Sequence, residues 1–187
     1  LVDFENEKER NFNYPPQNTL PRGVRKEYYL ADLFQGNFIQ TNSVVYRWRF
    51  RDGLPAWFKP GICPGDWYWH LLHAEKGKIG FIQEIMSVYR RHKKAVYSHA
   101  FISTKEHRRE QGLAELNTYS VVDKHFEGRY FIRLAGFANG IFADFLKIST
   151  EEGDDTLLNQ ACEEYPVFAN HFLQSLKIVK KEYETYI

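Results

Sequence analysis

Two residues of types that carry proton-transfer and metal chemistry lie in the middle of the chain. Asp66 opens the segment WYWHLLHAEK, and His92 closes the run Tyr89-Arg90-Arg91-His92. A carboxylate can take a proton from a hydroxyl within hydrogen-bond reach, and an imidazole can complete the ligand shell of a divalent ion. Taken alone, the local sequence favours simpler roles, namely a helix N-cap for Asp66 and a solvated histidine for His92.

Aromatic and cationic side chains flank these two residues. Trp67 and Trp69 follow Asp66 and can stack on the apolar face of a ligand ring, while Arg90 can stabilise an anionic group. Because alternating positions on a helix cannot all face one cleft, at least one aromatic of residues 67–69 is expected in the core.

The elements that position these groups follow from the hydrophobic pattern. Residues 37–50 mix β-branched and aromatic residues with polar ones and predict a strand. Asp66 as N-cap and Gly77 as the glycine after the helix predict a helix between them. A short helix over residues 26–36 and a strand pair or bent strand over residues 79–89 complete a mixed α/β pattern.

Beyond residue 103 the apolar residues fall at helical spacings. The spacing predicts three or four amphipathic helices. The residues that carry it are Leu113, Leu116, Tyr119, Leu134, Ile141, Phe142, Phe145, Phe168, Phe172, Leu176, Val179 and Tyr183. The predicted organisation is therefore an α/β part over residues 1–102 and a helical C-terminal region over residues 103–187.

Several motifs in order between Asn37 and Ser98 closely resemble one enzyme family. They are NFIQTNSVVYR, then LPAWF, then GDWYWHLLHAEKGKIGFIQEIMSVYRRH. This series resembles the C-terminal, acceptor-side half of family 2 glycosyltransferases of the GT-A fold, over roughly residues 25–100. The resemblance implies an α/β fragment, the C-terminal part of a GT-A nucleotide-diphospho-sugar transferase fold, followed by an α-helical tail.

The resemblance also implies a reaction and a role for each site residue. The reaction is inverting transfer of a sugar from a nucleotide-sugar donor to a hydroxyl of a glycan or lipid-linked glycan. Asp66 would be the general base, Arg90 would contact the donor diphosphate, and His92 would help to bind Mn²⁺ or Mg²⁺. The implied acceptor-binding residues are Thr41, Ser43, Trp67 and Trp69.

The nucleotide-binding half that such an enzyme needs is not found in this sequence. Residues 1–36 contain no Asp-x-Asp motif, so the chain alone is expected to be inactive. The run Glu152-Gly153-Asp154-Asp155 resembles a family metal segment, but it lies after the acceptor motifs instead of before them. An N-cap for a helix beginning near Thr156 explains this run better.

Composition limits the partners and the location. A net charge of +1 gives no general support for nucleic-acid binding, and no apolar run approaches the length of a membrane-spanning helix. Cys63 and Cys162 are far apart and suit free thiols in a reducing compartment. These features predict a cytoplasmic protein, compatible with peripheral association with the inner membrane face. The sheet edge of a half-domain would also favour a homo-oligomer.

Two other classes of function compete with the enzyme. One is a non-catalytic interaction or dimerisation module built on the helical tail, suggested by the aromatics Phe126, Tyr130, Phe131, Tyr183 and Tyr186. The other is single-stranded nucleic-acid binding by the alternating aromatics and arginines of residues 46–51. In an extended chain that alternation sends the aromatics to one face and the arginines to the other, which favours a half-buried segment instead.

Overall fold

The computed structural model describes residues 20, 23–59, 65–84, 86–87 and 105–185. The backbone alone is described for residues 2–3, 8–9 and 90–91, and within the last helix for residues 179 and 181–185. The chain divides into two compact units, Leu1–His99 and Ala100–Ile187. Each is described by itself below.

The first unit contains short elements in chain order. Its helices are α1 (Leu30–Leu33), a 3₁₀ turn (Thr41–Ser43) and α2 (Gly65–Glu75). Its two-residue strands are β1 (Val2–Asp3), β2 (Lys8–Glu9), β3 (Glu27–Tyr28), β4 (Ile79–Gly80) and β5 (Arg90–Arg91). Strand β1 pairs antiparallel with β2 and parallel with β5, while β3 pairs antiparallel with β4.

The predicted α/β class is wrong, because the described residues are mostly helical and their strands are two residues long. The strand predicted over residues 37–50 is a 3₁₀ turn followed by extended chain without a strand partner among the described residues. The aromatic rings of Tyr46, Trp48 and Phe50 do share one face, but that face packs against Trp69 and His73 of α2 instead of joining a sheet. A GT-A sheet fragment is therefore not part of the described fold.

A buried polar contact fixes the entry into α1. The carboxylate of Asp32 is 1% exposed, forms an ion pair with Arg25 at 2.9 Å, and accepts the backbone N–H of Tyr29 at 2.8 Å. The ring of Tyr28 is fully buried, and its hydroxyl donates to the carbonyl of Gly23 at 2.8 Å. Because the buried carboxylate has both a cationic and an amide partner, its burial is compensated.

The described residues of the second unit, 105–185, form four helices. These are α3 (Lys105–His125), α4 (Phe131–Glu152), α5 (Thr156–Glu164) and α6 (Pro166–Thr185). Helix α4 contacts each of the other three, so it forms the centre of the unit. The fully buried side chains at this centre are Leu116, Leu134, Ile141, Phe142, Phe145 and Ile148.

Residues with left-handed backbone conformation follow helices α3 and α4. After α3, Glu127 and Gly128 have φ of 53° and 72°, and the N–H of Gly128 returns to the carbonyl of Asp123 at 3.0 Å. After α4, Gly153 has φ of 71°, and its N–H bonds the carbonyl of Ser149 at 2.8 Å. These bonds satisfy carbonyls that would otherwise lack partners at the helix ends.

The acidic run at the end of α4 is engaged in ion pairs. Glu152 pairs with Lys105 at 3.2 Å and also with Arg109, and Asp154 lies 3.6 Å from Arg109. Asp155 is the N-cap residue of α5, which begins at Thr156 as the sequence predicts. The run therefore joins the start of α3 to the end of α4, and the ion pairs explain it without a metal.

The aromatics of the tail pack inside the second unit. Phe126 is 3% exposed and lies edge-on to Tyr130, with ring centroids 5.5 Å apart. Phe131 stacks on Phe168 at 5.7 Å. These rings stabilise the unit itself, which removes part of the reason for proposing them as a docking surface. The side chains of Tyr183 and Tyr186 lie outside the described residues.

Candidate functional site

Residues 41–50, here called the strap, lie alongside α2 from its first turn to its C-terminal end. At the first turn, the hydroxyl of Thr41 donates to Oδ2 of Asp66 at 2.8 Å. At the far end, the guanidinium of Arg49 donates to the carbonyl of Lys76. A cation at a helix C-terminus is favourable because the last carbonyls carry partial negative charge. The strap is thus fixed at both ends by side chains.

The carboxylate of Asp66 is partly exposed and held in a defined orientation. Asp66 is the second residue of α2 and not its N-cap. Its Oδ1 accepts the backbone N–H of Trp67 at 2.7 Å, while its Oδ2 accepts the hydroxyl of Thr41. Each oxygen retains lone-pair capacity for a further donor. A hydroxyl-bearing ligand can therefore approach a carboxylate that is already oriented.

A second polar contact lies one turn further along α2. The hydroxyl of Tyr46 lies 2.5 Å from Nδ1 of His70, whose side chain is almost completely buried. Burial, reinforced by the charge of Asp66, raises the pKa of Tyr46, so this hydroxyl stays protonated and acts as the donor. His70 is then the acceptor through Nδ1.

Burial is also the largest influence on His70. It lowers the pKa of His70, against opposing effects of the Asp66 carboxylate and the Ile39 carbonyl, and the nearby His73 lowers it further. A neutral imidazole at this position agrees with its role as hydrogen-bond acceptor. Asp66, His70 and His73 are spaced i, i+4 and i+7 and so occupy one stripe of α2, which faces the strap.

Four aromatic residues, here called the aromatic shelf, lie beside this stripe: Trp48, Phe50, Phe58 and Trp69. The ring of Trp69 is 5.9 Å from Trp48 and 5.3 Å from Phe58, measured between centroids. Phe50 is buried, and its ring lies edge-on to His73 at 5.0 Å. Trp48 remains 57% exposed, so the shelf presents one large aromatic ring to solvent.

The predicted acceptor-binding residues are divided by the structure. Thr41 contacts Asp66, and Trp69 is half-buried within the shelf. Trp67 instead is 3% exposed, and its indole N–H donates to the carbonyl of Leu33 at 3.0 Å, which places its ring in the core between α1 and α2. Ser43 is exposed, and its hydroxyl donates to the carbonyl of Gln40, closing the 3₁₀ turn.

The predicted donor and metal residues cannot be placed. His92 and the side chain of Arg90 lie outside the described residues. Among the described side chains, no group of three or more His, Cys, Asp or Glu residues could hold a metal ion. Because His92 lies outside these residues, the divalent ion that the family resemblance implies stays a prediction, and no step below is derived through it.

The sequence reasoning did not identify Tyr46, Trp48 and His70 as site residues. The signals were present, in the four-residue spacing from Asp66 to His70 and in the alternation of aromatics along the strap. Along this alternation Tyr46 is partly buried and Phe50 is buried, whereas Arg47 is exposed.

Comparison with known proteins gives relatives without an assigned activity. The chain is 39% identical over 87 residues to uncharacterized proteins of Mycobacterium bovis and of two strains of Mycobacterium tuberculosis. The match covers 46% of this chain and 24% of each relative, so the chain spans about a quarter of the length of these relatives. No family model and no solved structure matches the chain. None of the described helices is both long and apolar enough to cross a membrane.

Proposed function

We propose that this chain carries the acceptor-binding side of an inverting glycosyltransferase, with Asp66 as the general base. The observation that carries the proposal is the oriented, partly exposed carboxylate of Asp66 beside an aromatic shelf. Sugar sites need both features, since hydroxyls require acceptors and pyranose C–H faces pack on aromatic rings. The proposal concerns the reaction and not the fold, because the predicted GT-A fragment is contradicted.

In the proposed reaction Asp66 removes the proton of an acceptor hydroxyl as that oxygen attacks the anomeric carbon. The new glycosidic bond forms while the bond to the nucleotide diphosphate breaks, and its electron pair leaves with the diphosphate. The hydroxyl of Thr41 holds Oδ2 throughout, which limits the rotation of the carboxylate. The donor would bind mainly to other parts of the longer protein to which such a chain would belong, with Arg90 as the predicted contact of this chain with the diphosphate.

The test uses this chain and a version extended toward the N-terminus by about 100 residues, roughly one half-domain. Acceptor-dependent release of UDP or GDP is measured with UDP-glucose, UDP-galactose and GDP-mannose, in the presence of Mn²⁺. The acceptors are short oligosaccharides. The extended protein is expected to transfer sugar and this chain alone is not.

Asp66→Asn keeps the shape of the side chain and removes the base, so kcat should fall about 10²- to 10⁴-fold. Asp52→Asn is the matched control, because Asp52 is an exposed residue of a turn in the same unit. Equal activities of the two variants would rule out Asp66 as the base. Absence of transfer by the folded extended protein with every donor would remove the proposed function.

A further inference from the structure

The exposed ring of Trp48 lies away from the proposed base, Asp66. The separation of the two along α2 bears on the size of the acceptor. Asp66 and Trp69 both face the strap, and the step of three residues from one to the other advances about 4.5 Å along the axis of α2. Trp48 then lies beyond Trp69, with 5.9 Å between the ring centroids.

The strap gives an independent measure of the same offset. Tyr46 bonds to His70, which follows Asp66 by about one turn of α2. Trp48 follows Tyr46 by two residues, which is about 6.6 Å of extended chain. Its ring lies 6.3 Å from that of His73, which is seven positions after Asp66 and about 10.5 Å farther along the helix axis. The ring of Trp48 therefore lies beside the later turns of α2, past the first turn that carries Asp66.

Resting on the proposed function, we infer that the acceptor is an oligosaccharide of at least two units whose second ring stacks on Trp48. The terminal unit presents its hydroxyl to Asp66, and the neighbouring unit covers the exposed indole. Trp48 suits this role because Trp69 and Phe50 support its ring from behind, at 5.9 Å and 5.8 Å. A rigid, supported ring loses little conformational freedom when it binds a ligand.

The inference is tested on this chain by NMR titration of its four indole N–H signals. The probes are the methyl glycosides of glucose, galactose and mannose, and the corresponding disaccharides cellobiose, galactobiose and mannobiose. The Trp48 signal is assigned by its loss in Trp48→Phe. At least one disaccharide is expected to bind tenfold or more tightly than its monosaccharide and to shift the Trp48 signal.

Trp48→Ala should remove this preference, while Trp48→Phe should keep part of it. Val45→Ala is the matched control on the strap, since Val45 is 96% exposed and takes no part in the shelf. The remaining indole N–H signals, all from the first unit, confirm that this unit folds in each variant. Equal affinities for disaccharides and monosaccharides, or a preference that survives in Trp48→Ala, would overturn the inference.

The result is separable from the test of the proposed function. If this chain prefers disaccharides but the extended protein transfers no sugar, the proposed enzyme activity is contradicted and a glycan-binding surface remains. Transfer without disaccharide preference would remove the role of Trp48 alone.

Discussion

At the scale of single residues, the pair of Tyr46 and His70 forms the central contact between the strap and α2. The phenol donates to a buried imidazole, and both groups are held in their neutral forms by burial. The pair lies between the base at Asp66 and the ring of Trp48. Its loss is therefore expected to disturb both the proposed chemistry and the proposed stacking.

Tyr46→Phe should lower the free energy of unfolding of the first unit by about 1–2 kcal/mol, because it leaves the buried Nδ1 of His70 without a donor. The ring contacts with Trp69 and His73 remain. Urea unfolding followed by tryptophan fluorescence measures the change. Tyr29→Phe is the control, since Tyr29 is 48% exposed. Equal unfolding midpoints of the two variants would contradict the role of the hydrogen bond.

Stability should also fall on acidification below pH 6.5. His70 has a lowered pKa in the folded chain, so the unfolded chain binds its proton at a higher pH than the folded chain does. The contribution is present above the unfolded pKa and is lost as the pH falls toward the folded one. His73, whose pKa burial also lowers, acts in the same direction.

The measurement is urea unfolding at pH 7.5 and pH 5.0. His70→Asn should reduce the loss of stability between these values, because asparagine supplies an acceptor that does not titrate. His125→Asn in the second unit serves as the control. If His70→Asn lost as much stability on acidification as the original chain, the burial of a neutral His70 would not be the cause.

At the scale of elements, sequence reasoning succeeds where the signals are local. The helix predicted between Asp66 and Gly77 is present as Gly65–Glu75, because an acidic residue in the first turn and a glycine after the last turn are local signals. The strand predicted over residues 37–50 is wrong. An alternation of apolar and polar residues indicates that one face is buried, but it does not indicate whether a sheet or a helix packs on that face. The contact between Thr41 and Asp66 spans 25 residues, a separation that local patterns do not encode.

A close approach of α3 to α4 gives a prediction at this scale. A Cβ on Gly112 would lie 2.6 Å from Cζ of Phe145, a fully packed ring. Gly112→Ala should therefore destabilise the second unit by about 1–3 kcal/mol, even though alanine favours helix. Gly140→Ala on α4 is the matched control, because its Cβ would meet nothing within 4 Å. Thermal unfolding by circular dichroism should show a lower midpoint for Gly112→Ala and an equal or higher one for Gly140→Ala.

At the scale of the whole chain, the four tryptophans all belong to the first unit, at positions 48, 57, 67 and 69. Helices α3 to α6 of the second unit contribute most of the helical circular dichroism signal. The two spectroscopic signals therefore report on different units. The sequence predicts a change from a mixed α/β pattern to a helical pattern near residue 103, but only the structure shows that each part has its own core.

We expect the two units to unfold in separate transitions. Gly112→Ala should lower the midpoint seen by circular dichroism and leave the tryptophan midpoint unchanged, whereas Tyr46→Phe should do the reverse. Both probes are read in the same urea titration. A common shift of both midpoints in either variant would mean that the chain unfolds as one cooperative body.

The way the strap is attached has a consequence for divergence among related chains. A strand in a sheet shares its register with its neighbours, so a slip by one residue turns every side chain to the other face. The strap is attached through individual side chains of Thr41, Tyr46 and Arg49. Under the proposed function, a substitution at Trp48 would alter which glycan is accepted without disturbing the anchors. The proposed acceptor preference would then change one position at a time on an unchanged scaffold.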